Sequence, residues 1–148
     1  MKESSWNDCL EYESSIKISP DKEKAKSLIE TAEERINCST NEINEKNSNF
    51  IFEDYYSSVI EIVHAILNLE GYKVSNHICL GYYLKDVLKR EGLFRIFDDL
   101  RYKRNSLTYY GKRMEFETAV YSIEQAKKLI KELKTILEGK FKNREKQI

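Results

Sequence analysis

The apolar residues recur every three or four positions along most of the chain, which is the spacing of helices that bury one face. The first such stripe follows Ser19 and Pro20, two residues that favour a helix N-terminus. Its members are Ala25, Leu28, Ile29, Ala32 and Ile36. Residues 37–49 are polar and rich in asparagine, so they predict a connection between two helices.

A second helix is predicted from Phe50 to Gly71, and it carries two apolar stripes side by side. One stripe comprises Phe52, Tyr55, Val59, Ile62, Ile66 and Leu69. The other comprises Tyr56, Ile60, Val63 and Leu67. A helix that is apolar around so much of its circumference is touched from several sides, so we expect it at the centre of the fold.

Three further helices complete the pattern. The third has Ser75 or Asn76 as its cap and ends at Gly92, and its buried set is Leu80, Tyr83, Leu84, Val87 and Leu88. The fourth ends at Gly111, a residue suited to a C-terminal cap, and its stripe is Phe94, Phe97, Leu100 and Leu107. The last helix has the stripe Phe116, Ala119, Val120, Ile123, Ala126, Ile130, Leu133 and Leu137.

No segment alternates apolar and polar residues as a strand does, so the chain is expected to be all-α. Five helices with short turns predict an up-and-down bundle over residues 19–138. Residues 1–18 form an N-terminal segment that could add a short helix anchored by Trp6. Residues 139–148 form a charged tail that is expected to fray.

The composition limits the classes of protein that fit. The 148 residues suffice for one domain with one core. The 25 basic and 25 acidic residues cancel, which argues against broad electrostatic binding of nucleic acid but allows a local basic patch. No apolar run is long enough to span a membrane and the polar start does not resemble a signal peptide, so the cytoplasm is the expected location.

The cysteines and histidines give no sign of a metal centre. Cys9, Cys38 and Cys79 are odd in number and far apart, and His64 and His77 stand alone. We therefore expect buried or half-buried thiols, without a disulfide framework, a zinc site or a cofactor.

Residues 101–113, RYKRNSLTYYGKR, hold five basic residues and three tyrosines but no acid. Arginine and lysine contact phosphates and tyrosine stacks on bases, so this composition favours nucleic-acid binding. The residues expected to bind are Arg101, Lys103, Arg104, Tyr110, Lys112 and Arg113.

Arg104 occupies the apolar stripe of the fourth helix, four residues after Leu100 and three before Leu107. A buried, unpaired guanidinium is costly, which leaves three outcomes open. The charged head could reach water while its stem is buried, or the face could open into a cleft or subunit seam that binds phosphate or carboxylate. The third outcome is an ion pair with an acid of the central helix, namely Glu53, Asp54 or Glu61.

The stretch LRYKRNSLTYYG resembles the signature of HEPN (higher eukaryotes and prokaryotes nucleotide-binding) domains. That signature is an arginine, usually an asparagine, a few residues and then a histidine, at the end of a late helix of an up-and-down bundle. The segment EDYYSSVIEIVHAILNLEGYKVSNH is similar to the second helix of that family and the turn after it, and the resemblance covers residues 20–138.

The resemblance implies a function in RNA or nucleotide chemistry. Many members are metal-independent RNases, often toxins of toxin–antitoxin pairs, and they commonly form homodimers in which two motifs face one shared cleft. Others bind RNA, nucleotides or proteins without catalysis. By this resemblance, Arg104 binds or stabilises the scissile phosphate and Asn105 orients it.

The chain departs from that family at the motif histidine, whose place Tyr109 takes. A phenol with a pKa of about 10 is a poor base at neutral pH, although it can donate a hydrogen bond or stack on a base. His77 could replace the imidazole in space, or it could cap or pack the third helix, whereas His64 fits the core. A tyrosine that a partner nucleotidyltransferase modifies in one subgroup falls at Gly111 here.

Four hypotheses remain at this point. The first is a dimer that binds RNA or a nucleotide phosphate through Arg104 and Asn105, with Tyr109 in the site. The second is a metal-independent RNase that uses the same cleft. The third is a protein-interaction module that partners a nucleotidyltransferase, and the fourth is a dimerising bundle in which Arg104 makes an internal ion pair.

Overall fold

The computed structural model describes residues 2–39 and 42–145. In chain order its elements are α1 (Trp6–Glu11), β1 (Ser15–Lys17), α2 (Lys22–Cys38), α3 (Ser48–Glu70), β2 (Tyr72–Val74), α4 (His77–Tyr82), a π-helical turn (Tyr83–Val87), α5 (Glu91–Tyr110) and α6 (Phe116–Glu145). Helices dominate this part of the chain, so the predicted all-α helical bundle is confirmed. No helix among these residues is both long enough and apolar enough to cross a bilayer.

Helix α3 lies at the centre of the bundle, as its two apolar stripes predict. Every member of both stripes is buried except Ile60, which is half-buried. Helices α2 and α6 pack along it, and each buried aliphatic or phenylalanine side chain stabilises the fold by about 1.5–3 kcal/mol relative to an exposed position. The stripe of α6 is buried from Ala119 to Leu137, with Val120 half-buried.

Helix α4 begins directly after Asn76, whose side chain accepts a hydrogen bond from the backbone N–H of Cys79 at 3.0 Å, so this predicted cap is confirmed. The predicted helix end at Gly92 is wrong. The chain turns at Lys89, which has a φ of 56°, and Gly92 lies inside α5. A π-helical turn winds more loosely than an α-helix, and Val87, the last residue of that turn, is exposed where burial was expected.

Two short strands correct the expectation that the chain contains none. Strands β1 and β2 pair antiparallel, with Ser15 opposite Val74 and Lys17 opposite Tyr72. Each strand has three residues, too few for an alternating pattern to stand out in a sequence. The pairing fastens the N-terminal segment to the chain that leaves α3.

The N-terminal segment is also held by Trp6 and a disulfide. Trp6 is buried and packs edge-on against Tyr72 and Tyr83, with ring centroids 5.3 and 5.2 Å away, so the predicted anchor is confirmed. Cys9 of α1 is bonded to Cys79 of α4.

The disulfide shows that the expectation of unpaired thiols is wrong for Cys9 and Cys79, both of which are fully buried. The cysteines are 70 residues apart in sequence, and only the packed bundle brings α1 beside α4, so spacing alone could not indicate the pair. Cys38 is an exposed thiol.

Two predicted irregular segments differ from expectation or lie partly outside the described residues. Helix α6 continues through Glu145, into the tail that was expected to fray, and residues 146–148 lie outside the described part. The polar connection 37–49 is shorter than predicted, since α2 extends to Cys38 and α3 begins at Ser48. Residues 40–41 of this connection also lie outside the described part.

Replacing Gly71 by alanine is expected to lower the free energy of unfolding by about 2 kcal/mol or more. Gly71 has a φ of 88°, and a Cβ there would lie 2.7 Å from the carbonyl oxygen of Ile18. The matched control is Gly139→Ala, in the interior of α6 with no atom within 4 Å of the added Cβ. That substitution is expected to stabilise the protein by about 0.5–1 kcal/mol, so equal effects of the two variants in urea unfolding would contradict the prediction.

Candidate functional site

A cleft of about 610 Å³ opens between the start of α4 and the last turns of α5. We call it the Arg104 cleft. Helix α5 contributes four side chains to it, Arg101, Arg104, Asn105 and Tyr109. The turn before α4 and its first residues contribute Ser75, Asn76, His77 and Ile78. The N-terminal segment closes a third side with Lys2 and Glu3.

Arg104 and Tyr109 line the same cleft although they are five residues apart in the sequence. On a straight helix that spacing places two side chains about 140° apart. Helix α5 ends at Tyr110, and the left-handed Gly111 that follows it has a φ of 61°. The sequence predicts this ending at Gly111, and the ending is confirmed.

The guanidinium of Arg104 has no carboxylate within 4.0 Å among the described residues, so it does not form the predicted internal ion pair. The acid Glu61 is instead bonded twice to Arg35, at 2.9 and 3.2 Å. Arg104 is half-buried and lies over the ring of Tyr56, 5.8 Å from its centroid. Arg101 differs in this respect, because Asp98 accepts hydrogen bonds from it.

His77, the first residue of α4, lies in the cleft. Its Nδ1 lies 2.9 Å from the hydroxyl oxygen of Tyr56, and its ring lines the cleft together with Arg104. Burial, aided by the positive charge of Arg104, lowers the pKa of His77 to about 4. The imidazole is therefore neutral at neutral pH.

Tyr56, the hydrogen-bond partner of His77, keeps its hydroxyl proton at neutral pH. Burial raises the pKa of Tyr56 well above its ordinary value, against the opposing charge of Arg104. The hydroxyl of Tyr56 can donate to the imidazole or accept from it, and this choice sets the role of Nε2. When Tyr56 accepts from Nδ1–H, the lone pair on Nε2 is available to take a proton.

The local sequence explains why His77 faces the cleft. Asn76 caps α4 and fixes His77 as the first residue of that helix, one turn from the buried Leu80. The segment GYKVSNH, in which a histidine directly follows the cap Asn76, is the sequence signal for this position.

The structure does not bring all of the predicted binding residues into the cleft. The ammonium of Lys103 lies 2.8 Å from Asp99 and donates to Ser122 at 3.0 Å, on another side of α5. Lys112 and Tyr110 are exposed and do not line the cleft. Arg113 lies over the ring of Phe50 and donates to the backbone carbonyl of Lys46 at 3.3 Å.

The N-terminal wall of the cleft could not be expected from the sequence. Glu3 accepts a hydrogen bond from the Ser14 hydroxyl, and the Tyr82 hydroxyl donates to the Glu3 carbonyl oxygen at 3.2 Å. These contacts, together with the disulfide, place Lys2 and Glu3 beside the arginines.

The chemistry of the cleft is that of an anion site. Two guanidinium groups, one ammonium, one carboxylate and the neutral amides of Asn76 and Asn105 line the cleft, and Asp98 pairs with one of the guanidinium groups, that of Arg101. Within the described residues, no three histidine, cysteine or acidic side chains are grouped so that they could hold a metal ion. The cleft therefore suits a phosphate or carboxylate bound by arginine. No protein-family model, no curated protein and no solved structure matches this chain.

Proposed function

We propose that the Arg104 cleft binds the phosphate of RNA or of a nucleotide. The observation that carries this proposal is the half-buried guanidinium of Arg104, which no carboxylate neutralises among the described residues and which lines an open cleft. A guanidinium in such a place makes charge-assisted, paired hydrogen bonds to a phosphate. The guanidinium of Arg104 lies over the ring of Tyr56, which stacks on Phe97 and is hydrogen-bonded to His77.

Exposed aromatic side chains on the last turns of α5, of which Tyr109 lines the cleft, support RNA as one of these ligands. Tyr102, Tyr109 and Tyr110 expose 70%, 69% and 80% of their surface, and all three lie on the same last turns of α5 as the arginines. Exposed aromatic rings next to cations stack on unpaired bases. The resemblance to HEPN domains points to the same ligand class.

Two features of the proposal stay predictions. A homodimer is implied by the resemblance to HEPN domains, in which two motifs face one shared cleft. A cytoplasmic location rests on the sequence, and the disulfide between Cys9 and Cys79 is a bond more typical of oxidising compartments.

Replacing Arg104 by alanine is expected to weaken the binding of single-stranded RNA by at least about 10-fold, because hydrogen bonds to a charged group contribute about 1.5–3 kcal/mol each. The measurement is fluorescence anisotropy with a labelled oligonucleotide. Wild-type affinity is expected to fall steeply between about 50 mM and about 200 mM salt, and the variant should show a shallower dependence.

The matched control for this experiment is Arg95→Ala. Arg95 lies on the same helix, is paired with Glu91 at 3.3 Å and leaves 76% of its side chain exposed. Its removal changes the net charge equally and is expected to alter affinity by less than about twofold. Equal losses of RNA affinity in both variants, or an affinity that does not change with salt concentration, would contradict the proposal.

A second candidate function is metal-independent cleavage of RNA. The observation that favours it is the position of His77, which brings an imidazole into the cleft that lacks the family histidine at Tyr109. An imidazole can take the proton of a ribose 2′-hydroxyl and return it to the leaving oxygen.

A further inference from the structure

A second, smaller cavity lies against the Arg104 cleft and shares two of its walls. Its volume is about 180 Å³, and Arg104 and His77 line it as they line the larger cleft. We call it the Ile60 pocket. Its remaining walls come from α2 and α3, namely Arg35, Tyr56, Ser57, Ile60 and Glu61.

The size of the Ile60 pocket restricts what it can hold. Pockets for drug-sized ligands measure about 300–1,000 Å³, a range that includes the Arg104 cleft but not this cavity. A single planar ring system fits the smaller volume, whereas a sugar and phosphate need the larger one. The two cavities together therefore match a ligand with one compact group attached to one larger charged group.

The walls of the Ile60 pocket combine apolar surface with a polar rim. The half-buried Ile60, which packs against the core, supplies the apolar part, and the Tyr56 ring beside it is only 2% exposed. The rim is the ion pair of Arg35 and Glu61. Only 15% of the Glu61 side chain is exposed.

That ion pair retains the capacity to bind a ligand. A carboxylate has about four acceptor sites and a guanidinium five N–H donors, and the pair uses two of each on one another. The spare acceptors suit the ring or amino N–H groups of a base, and the spare donors suit its carbonyl oxygens and ring nitrogens. Ser57 adds one hydroxyl that both donates and accepts.

We propose that the Ile60 pocket is a nucleobase subsite, in which the base of a nucleotide packs on Ile60 with its edge toward Arg35 and Glu61, while its phosphate is held by Arg104. This inference rests on the proposed function, because it places the base relative to the phosphate bound there. It adds a place for the base of that nucleotide, whether the nucleotide is free or one unit of a strand.

Ribose 5-phosphate and the 5′-mononucleotides test the subsite, because they share the sugar and phosphate and differ by the base. In isothermal titration calorimetry, at least one mononucleotide is expected to bind wild-type protein at least about 10-fold more tightly than ribose 5-phosphate. Equal affinities for ribose 5-phosphate and all of the mononucleotides would overturn the subsite. This comparison needs no variant.

Ile60→Trp then fills the pocket with a larger side chain. The variant is expected to lose the advantage of the mononucleotide and to retain the affinity for ribose 5-phosphate within about twofold. Val87→Trp makes the same kind of change at a position that is 42% exposed and should leave both affinities unchanged. If circular dichroism shows that Ile60→Trp does not fold, Ser57→Tyr is used instead, because it fills the same pocket from the preceding turn of α3.

The same titrations separate this inference from the proposed function. Loss of both ligands in Arg104→Ala, with the mononucleotide advantage present in wild type, supports both. Ribose 5-phosphate binding that depends on Arg104, without any advantage for a base, keeps the phosphate site and overturns the subsite. Absence of binding by every ligand, or binding that ignores Arg104→Ala, overturns the phosphate site and the subsite with it.

Discussion

Replacing Cys9 and Cys79 together by alanine is expected to lower the free energy of unfolding by about 4 kcal/mol. The bond spans 70 residues of sequence, and closing a loop of that length removes conformational entropy from the unfolded chain in proportion to the logarithm of its length. Such a loss is a large part of the roughly 5–15 kcal/mol that stabilises an ordinary domain. Urea unfolding, followed by circular dichroism, gives the number directly.

The disulfide prediction has a control within the same chain. Cys38→Ala removes an exposed, unpaired thiol and should leave the midpoint of unfolding unchanged. Wild-type protein unfolded in the presence of a dithiol reductant should match the double variant. A loss below about 1 kcal/mol for the double variant would contradict the prediction, since it would mean that α1 is held by Trp6 and the strand pair alone.

If the cleft cleaves RNA, His77→Gln is expected to slow cleavage by about 100-fold or more, which is the usual loss when a group that transfers a proton is removed. The 2′-oxygen forms a bond to phosphorus while the bond from phosphorus to the 5′-oxygen breaks, leaving a 2′,3′-cyclic phosphate and a 5′-hydroxyl. The proton passes from the 2′-hydroxyl to Nε2 of His77 and from there to the 5′-oxygen. The measurement is cleavage of single-stranded RNA in EDTA.

The pH dependence of kcat/KM distinguishes His77 from an ordinary imidazole. A base must be unprotonated, and the pKa of His77 is about 4 in the ligand-free protein. The rate is therefore expected to be flat from about pH 5 to about pH 8 and to fall only as the pH approaches that pKa. An imidazole with the usual pKa of about 6.5 would lose activity already below about pH 6.5.

Matched variants decide which group transfers the proton. His64→Gln removes a half-buried histidine that does not line the cleft and should retain full activity. Undiminished cleavage by His77→Gln, combined with its loss in Tyr109→Phe, would move the role to Tyr109. Cleavage by Tyr109→His alone would identify a phosphate cleft that lacks only its imidazole, and wild-type RNA cleavage would then be excluded.

The long helices could be predicted from the sequence because their signals are local. The spacing of apolar residues in α3 and α6 repeats over many turns, and Gly71 and Gly111 end helices where their left-handed backbones require. Ile60 and Val120 are half-buried members of otherwise buried stripes, a small deviation that leaves the phase of both helices intact.

The features that escaped prediction depend on contacts between distant segments. Strand β1 meets β2, and Cys9 meets Cys79, only after the bundle has formed, so no window of sequence contains either signal. The π-helical turn before Lys89 changes the spacing of a stripe that looks regular in the sequence. Val87 is therefore exposed although burial was predicted, and α5 begins before Gly92, the predicted end of the third helix.

The candidate site was foreseen on one side only. Arg104, Asn105 and Tyr109 lie within six consecutive residues, and their placement on the last turns of one helix followed from the helical period and Gly111. The other walls come from distant parts of the chain, namely Lys2, His77 and the α3 residues of the Ile60 pocket. Lys103 lies about 100° around the helix from its neighbour Arg104, and Asp99, one turn earlier, binds its ammonium away from the cleft.

The last turns of α5 have a consequence for motion. Residues 101–110 include four of the ten residues that line the Arg104 cleft, yet none of them is fully buried, whereas most of α3 is. Helical hydrogen bonds that few buried side chains support open at a lower free energy than those of the core. Their amide hydrogens should therefore exchange with deuterium sooner than those of α3. A phosphate bound between Arg104 and the start of α4 would slow this exchange. Ordering the segment would cost conformational entropy, which makes the free energy of binding less favourable.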